Sequence, residues 1–310
     1  MTRQTAVRTG SSLVERAAAV YDFSSGLLVP PAESPAAVEP PPPPAPRTTG
    51  IDRADPRPAR PARRSSPRGT VAVDRQRLRS GGFILPESPA TGLAEELRLV
   101  KRQLLAGASG RTGIAAEKRR RVLVCSGQPD EGKTFCALNL ALSLAGEQDL
   151  EVLLVDGDFS KPEILSLLGL EAGPGLVDAL ADPTADAESF VIRTDLGGLS
   201  LLPAGRQANN VPELLASERT SEVLAGLTAS SPRRLIIFDS PPALMASPAS
   251  VLAGHVGQAL IVVRADKTTE SDLKETIGLL SACDHLGLVL NGAGFAARGR
   301  RFGLHYGYEP

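Results

Sequence analysis

The chain has 310 residues, with 34 Lys and Arg against 35 Asp and Glu, and this near balance gives no electrostatic case for a nucleic-acid partner. Its three cysteines, Cys125, Cys136 and Cys283, have neither C-x-x-C spacing nor a histidine cluster beside them, which argues against a zinc site or a disulfide framework and fits a reducing compartment. The first twenty residues are too polar for a secretory signal, and no run of about 18 apolar residues is available to cross a bilayer, so a cytoplasmic location is expected.

Within residues 1–23, Leu13, Ala17 and Val20 fall on one side of a short helix with Ser12 at its cap. So short a helix is marginal alone and implies a binding partner. Residues 24–90 are rich in Pro, Ala, Ser and Arg, with prolines at every position from 40 to 44, the composition of a disordered linker. A folded domain is expected over residues 91–297. It opens with Leu93, Leu97, Val100 and Leu104 at helical spacing. Apolar runs follow at residues 122–125, 152–155, 199–202, 235–238, 259–263 and 286–290, separated by helix-compatible stretches. Continuous runs of this kind suit strands buried on both faces, so the predicted fold is α/β, a parallel sheet with helices on both sides. Residues 298–310 form a glycine-rich tail that carries Tyr306 and Tyr308.

The segment RVLVCSGQPDEGKTFCALNLALSLA, residues 121–145, reads as strand, loop and helix. Its loop, residues 127–134, satisfies G-x-x-x-x-G-K-[ST] without a mismatch. Gly127 and Gly132 let the backbone curl so that successive N–H groups face an anion, and the following helix aims its positive end at the same point. Lys133 is expected to reach the β- and γ-phosphates of ATP and the Thr134 hydroxyl to bind Mg2+. Gln128, Pro129, Asp130 and Glu131 complete the cradle, and Phe135 follows it.

Such a match in isolation can be a surface turn, but two further segments support it. VLLVDGDFSKP, residues 152–162, carries Asp156 and Asp158 off the end of an apolar run, and LIIFDSPPAL, residues 235–244, carries Asp239 in the same way. The carboxyl ends of strands are where ligands collect in open α/β sheets. Carboxylates there, beside a phosphate loop, can converge on one magnesium, a role assigned to Asp158 and Asp239.

Together these motifs resemble the bacterial tyrosine kinases of capsule and exopolysaccharide synthesis, which are related by fold to the MinD and ParA ATPases. The likeness runs from about residue 95 to the end of the chain. Residues 152–162 look like the family's Walker A′ motif and LIIFDSPP like its Walker B motif. LLPAGRQANNVPELLAS resembles a segment found between the two, and LGLVLNGAG resembles the last core strand. SLVERA near the start and EELRLVKRQLL before the first strand look most like the subgroup encoded with exosortase-linked exopolysaccharide systems.

The resemblance implies an ATP-dependent protein-tyrosine autokinase that regulates exopolysaccharide chain length or export. It implies catalytic roles for Lys133, Asp156, Asp158 and Asp239, with Asp156 orienting or deprotonating the incoming tyrosine, and it places Asn291 near the adenine. Tyr306 and Tyr308 become the autophosphorylation sites. Glu95, Arg98 and Lys101 match the E-x-x-R-x-x-[RK] spacing of the family's subunit-contact helix. The implied partner is a membrane-embedded polysaccharide chain-length determinant, a co-polymerase that would hold the chain at the inner membrane. Three features depart from the family pattern: Asp130 stands where a glycine is usual, Lys161 where an arginine is usual, and the tail has only two tyrosines. They leave open a nucleotide-dependent regulatory subunit with little tyrosine transfer. A MinD-like or ParA-like positioning ATPase is a third reading, although Gln128 stands where such proteins carry a signature lysine.

Overall fold

The computed structural model describes residues 69–87, 91–110 and 113–293. The expected N-terminal helix, the linker up to residue 68 and the tail with Tyr306 and Tyr308 lie outside the described residues. In chain order the elements are α1 (Arg75–Ser80), α2 (Gly92–Ala108), β1 (Arg121–Ser126), α3 (Lys133–Ala145), β2 (Glu151–Asp156), α4 (Ile164–Leu167) and α5 (Leu176–Ala181). They continue with β3 (Ile192–Arg193), β4 (Leu199–Leu202), α6 (Val211–Leu215), α7 (Glu218–Ala229), β5 (Arg234–Asp239), α8 (Pro248–Ala253), β6 (Gln258–Arg264), α9 (Glu270–Leu279) and β7 (Leu286–Asn291).

The strands form one sheet in the order β3-β4-β2-β5-β1-β6-β7. Only the two-residue β3 runs antiparallel to its neighbour; all other pairs are parallel. Every residue of β1 and β5 is buried, which is why both read as unbroken apolar runs rather than alternations. Alternate side chains nevertheless serve opposite faces. Leu123, Cys125, Leu153, Val155, Ile236 and Phe238 pack with Leu180 of α5, Leu224 of α7 and Leu252 of α8. Val122, Val124, Val152, Leu154, Leu235 and Ile237 pack with Leu138 and Leu142 of α3 and Leu104 of α2. Each fully buried Leu contributes roughly 1.5–3 kcal/mol relative to exposure. At the sheet edge β7 is unevenly covered: Leu286 and Val289 pack inward on opposite faces, whereas Leu288 and Leu290 are 57% and 64% exposed.

The expected linker boundary at residue 90 is corrected here. Val71 N donates to Arg193 O at 2.8 Å and Val71 O accepts from Asp195 N at 3.0 Å, joining the chain to the β3 edge of the sheet. Asp74 caps α1 through Arg77 N, 2.9 Å away. Leu78 and Leu85 are buried against α3 in the same apolar cluster. Phe83 meets Phe135 with ring centroids 5.2 Å apart, and Ile84 N donates to Asn139 Oδ1 at 2.8 Å. The segment escapes a periodicity search because it is a strap, a bridge followed by one short turn of helix and an extended piece, with its apolar residues spread among arginines and glycines.

The topology brings the functional segments together. β1 lies between β5 and β6, and β2 pairs with β5 on the other side, so the loops leaving β1, β2 and β5 emerge along one carboxyl edge. In the register, Asp239 is the partner of Val124 on one side and of Asp156 on the other.

Candidate functional site

The phosphate loop leaves β1 at Ser126, whose hydroxyl donates to Gln128 O at 2.8 Å. Gly127 admits no side chain, because a Cβ there would stand 2.7 Å from Thr276 Oγ1 of α9. Gly132 adopts φ 94° and would bring a Cβ within 2.1 Å of Asn291 Nδ2, so both its conformation and its space require glycine. Asp130 also lies in the left-handed region, at φ 60°. That conformation accounts for a glycine being usual here, and Asp is among the few residues that enter it routinely, at a cost of about 1–2 kcal/mol. No side chain caps α3, so the N–H groups of Lys133, Thr134 and Phe135 in its first turn, and the positive end of the helix, are available to an anion.

Lys133 Nζ lies 2.9 Å from Asp158 Oδ2, with both side chains largely buried. Asp158 Oδ1 accepts from Ser160 Oγ at 2.7 Å and from Lys161 N at 3.1 Å. Burial is the largest single influence on Asp158 and pushes it upward, but the Ser160 hydroxyl, the Lys133 ammonium and the Lys161 N–H together hold it below the usual carboxylate range. Asp156 is different. It is 2% exposed, and its two oxygens accept from Asp158 N at 3.3 Å and Ile164 N at 3.2 Å. Burial, followed by the charge of Asp239 across the β2–β5 pair, pushes Asp156 up to about 7. Each Asp156 oxygen thus accepts one backbone N–H in closing the turn after β2 and keeps a second acceptor site.

Asp239 carries the least satisfied carboxylate. It is 1% exposed, and its Oδ1 has no hydrogen-bond partner. Burial pushes it up to about 7, against the lowering effects of the Lys133 charge and a hydrogen bond from the Thr134 side chain. A buried oxygen without a partner is costly unless something polar meets it. Among the described residues no three His, Cys, Asp or Glu side chains gather as a metal cage. Magnesium does not need one, since it commonly takes one or two carboxylates together with substrate phosphates. Thr134, Asp158 and the unpartnered oxygen of Asp239 fit that pattern.

The remaining expected ligands brace the loop from behind. Gln128 N donates to Glu131 Oε2 at 2.8 Å, and Gln128 Nε2 donates to Asp272 Oδ1 at 3.1 Å. Pro129 O accepts from Lys267 Nζ at 2.9 Å. Glu131 is fully buried, with its other carboxylate oxygen on the Thr268 hydroxyl. Asn291 Nδ2 donates to Glu131 O at 2.9 Å, and the Phe135 ring turns to Phe83. Lys267, Thr268 and Asp272 did not emerge from the sequence. Their one signal is the capping box of α9, Thr269 with Asp272.

On α2, Arg98 pairs with Glu95 one turn away, and Lys101 pairs with Glu147 at 2.5 Å. At the opposite end of the sheet a cleft of about 520 Å³ is lined by Glu87, Glu147, Glu151 and Arg233, among others. Its carboxylates are already matched by Arg75, Lys101 and Arg233, so the chemistry belongs to the carboxyl edge. Among the described residues no helix is long and apolar enough to cross a membrane.

No family model matches the chain. It is 35% identical over 177 residues to the tyrosine-protein kinase wzc of Salmonella typhimurium, covering 57% of this chain and 24% of that protein. The chain thus spans about a quarter of that relative's length. To the tyrosine-protein kinase YwqD of Bacillus subtilis it is 30% identical over 175 residues, 56% of this chain and 72% of YwqD. Among solved structures it superposes on the kinase domain of the Escherichia coli tyrosine kinase ETK with a TM-score of 0.61 and 26% identity, covering 72% of this chain and 85% of that one. With likeness of this order over most of YwqD, the same fold as ETK, and a phosphate loop flanked by strand-end aspartates, the chain belongs to the bacterial tyrosine-protein kinase family.

Proposed function

We propose that the chain is an ATP-dependent protein-tyrosine autokinase that phosphorylates Tyr306 and Tyr308, in the tail of a second copy, and thereby regulates the chain length or export of an exopolysaccharide. The observation that carries the reading is the meeting of Lys133, Thr134 and Asp158 with the unpartnered oxygen of Asp239 at one strand edge. In-line phosphoryl transfer needs charge neutralisation and alignment more than covalent help from the protein. The first-turn N–H groups of α3 and Lys133 would bind the phosphates, and Thr134, Asp158 and Asp239 would hold Mg2+. The metal, when bound, neutralises charge on the transferring group. Asp156, whose carboxyl is pushed up to about 7, would orient or deprotonate the incoming phenol, while Asp158, kept ionised by Ser160, Lys133 and Lys161 N, serves the metal.

The partner in this reading is a membrane-embedded chain-length determinant, the location is the cytoplasmic side of the inner membrane, and self-association runs through the outer face of α2. These are carried over from the family resemblance, and membership of the exosortase-linked subgroup is proposed from the likeness of SLVERA and EELRLVKRQLL. A second reading, a nucleotide-dependent regulator with little transfer, is favoured by Asp130, an exposed carboxylate on the phosphate loop.

Incubation of the purified full chain with ATP and Mg2+, followed by phosphosite mapping, separates the two. Phosphotyrosine at Tyr306 or Tyr308 is expected, including on a Lys133→Ala protein mixed with active protein that lacks both tyrosines. ADP formation without phosphotyrosine would leave the regulator as the better account.

A further inference from the structure

The rear wall of the phosphate loop is built from residues that the proposed reaction does not touch. Glu131 is fully buried, and a buried carboxylate is costly unless its oxygens have partners. It receives Gln128 N at 2.8 Å on Oε2 and the Thr268 hydroxyl on Oε1. Thr268 Oγ1 itself accepts the N–H of Arg264 at 2.8 Å. The hydroxyl's one proton is therefore committed to Glu131 and its rotor is fixed. Arg264 closes β6, the strand paired with β1 on one side and with the edge strand β7 on the other, so these bonds tie the loop to the carboxyl end of a neighbouring strand. Lys267 and Asn291 flank the tie, on the carbonyls of Pro129 and Glu131.

We propose that Thr268 is a positioning residue for phosphoryl transfer: its hydroxyl orients the buried Glu131 carboxylate and so holds the loop in the shape that presents Gly132 to Thr134 to the nucleotide. The proposal rests on the nucleotide-binding reading above. Without the hydroxyl, Glu131 keeps only the backbone N–H of Gln128, and its carboxylate must stay half-satisfied or move toward water. Either change releases the Gln128 N–H and loosens the backbone behind Gly132. Lys133 still reaches the phosphates, so alignment suffers more than binding.

The test compares full-length wild type with Thr268→Val, which keeps the shape and removes the hydroxyl, and with Thr268→Ser, which keeps the hydroxyl. Two quantities are read: steady-state ADP formation from ATP with Mg2+, and amide hydrogen exchange of the loop peptide that contains Gln128. In Thr268→Val, kcat is expected to fall roughly 10- to 100-fold while KM moves less than about threefold. Loop exchange should quicken at least about tenfold, with exchange in β5 unchanged. Thr268→Ser should restore both to within about twofold of wild type. Wild-type loop exchange in the Val variant, a change confined to KM, or failure of Ser to rescue would overturn the proposal. A wild type that neither binds nor turns over ATP would instead sink the nucleotide reading and the transfer role with it; the exchange comparison would still decide whether Thr268 holds the loop.

Discussion

The two edges of the sheet treat buried charge in opposite ways. At the amino edge, Arg234 is 5% exposed and makes a two-pronged pair with Glu188, at 2.5 and 2.9 Å. Arg121 nearby donates to Thr228 Oγ1 at 3.1 Å and His255 O at 3.3 Å, and the charge of Glu117 favours its cation. At the carboxyl edge, Asp156 and Asp239 face each other across a strand pair, both pushed up by burial, and one oxygen has no partner. The amino edge is arranged for stability. The carboxyl edge holds unfavourable electrostatics that a bound cation would relieve, which is the asymmetry expected of a ligand site at strand ends.

The largest effect should come from breaking the satisfied edge. Arg234→Met removes the buried member of the pair and leaves Glu188 with only the Ser230 hydroxyl and the nearby charge of Arg193, so a loss of about 3 kcal/mol in unfolding free energy is expected. Nucleotide affinity of the folded fraction should stay near wild type, because the phosphate loop lies at the other end of the strands. Urea unfolding together with titration of a non-hydrolysable ATP analogue checks both halves. A large affinity loss with little change in stability would reverse the roles assigned to the two edges.

Lys133→Ala probes the carboxyl edge directly. The ammonium is expected to contribute charge-assisted bonds to phosphate, so affinity for the same analogue should fall at least about 100-fold. Asp158 keeps the Ser160 hydroxyl and the Lys161 N–H, so the melting temperature should move by no more than about 3 °C. Calorimetric titration and thermal melting make the comparison. Wild-type affinity in the variant would remove the phosphate role of Lys133.

How much of this contrast the sequence disclosed depended on the range of the interactions. The central strands were legible because burial on both faces leaves only apolar residues between their ends. The Walker loop was legible because local backbone demands put glycines and a lysine at fixed spacing. The convergence of Asp156 and Asp239 followed from their place at strand ends, but not which carboxylate would be tied into the backbone, since that depends on where Ile164 N falls after the turn. The tie from Thr268 to Glu131 spans 137 positions, and a single threonine in a polar loop carries no local sign of it. The strap at residues 69–87 was missed for the complementary reason: its apolar residues are few and serve a bridge, a short helix and a ring contact in succession, so no one period describes them.

A third prediction uses pH. An aspartate whose folded pKa is raised keeps its proton when the unfolded chain has released it, so stability falls as pH rises from about 4 to about 7 and levels off above. Asp156 and Asp239 both act in this direction. His255, lowered chiefly by burial, opposes them below its ordinary value, so the informative quantity is the difference between wild type and Asp239→Asn. With a chelator present and no nucleotide, the variant should gain on wild type by on the order of 1–3 kcal/mol between pH 5 and 7.5. Chemical unfolding across that range is the measurement, and parallel pH profiles would mean that Asp239 is not a source of strain at this edge.

The smallest effect on stability concerns neither edge but the outer face of α2, where the question is whether a charged helix surface is merely solvated. The structure divides the residues that match the contact spacing. Lys101 is drawn to the flank, with its ammonium on Glu147 and near Ser143 O, whereas Glu95 and Arg98 stay about half exposed and pair with each other. Leu99, 60% exposed, lies one turn after Glu95 and one turn before the exposed Arg102. A face of Glu95, Arg98, Leu99 and Arg102 therefore offers an apolar anchor inside a charged rim, the arrangement that favours a specific contact over a solvated surface. Exposed i,i+3 pairs contribute only a few tenths of a kcal/mol, so Arg98→Glu and Leu99→Asp should leave urea unfolding within about 0.5 kcal/mol of wild type. Light scattering with ATP and Mg2+ present should nevertheless show a lower mass for both variants if α2 is the contact, because a reversed charge or a buried carboxylate opposes a docked surface far more than a solvated one. Lys101→Ala, which loses an internal ion pair, should keep the wild-type mass. An assembled wild type whose mass is untouched by Arg98→Glu and Leu99→Asp would show that the face is solvated and that the chains meet elsewhere.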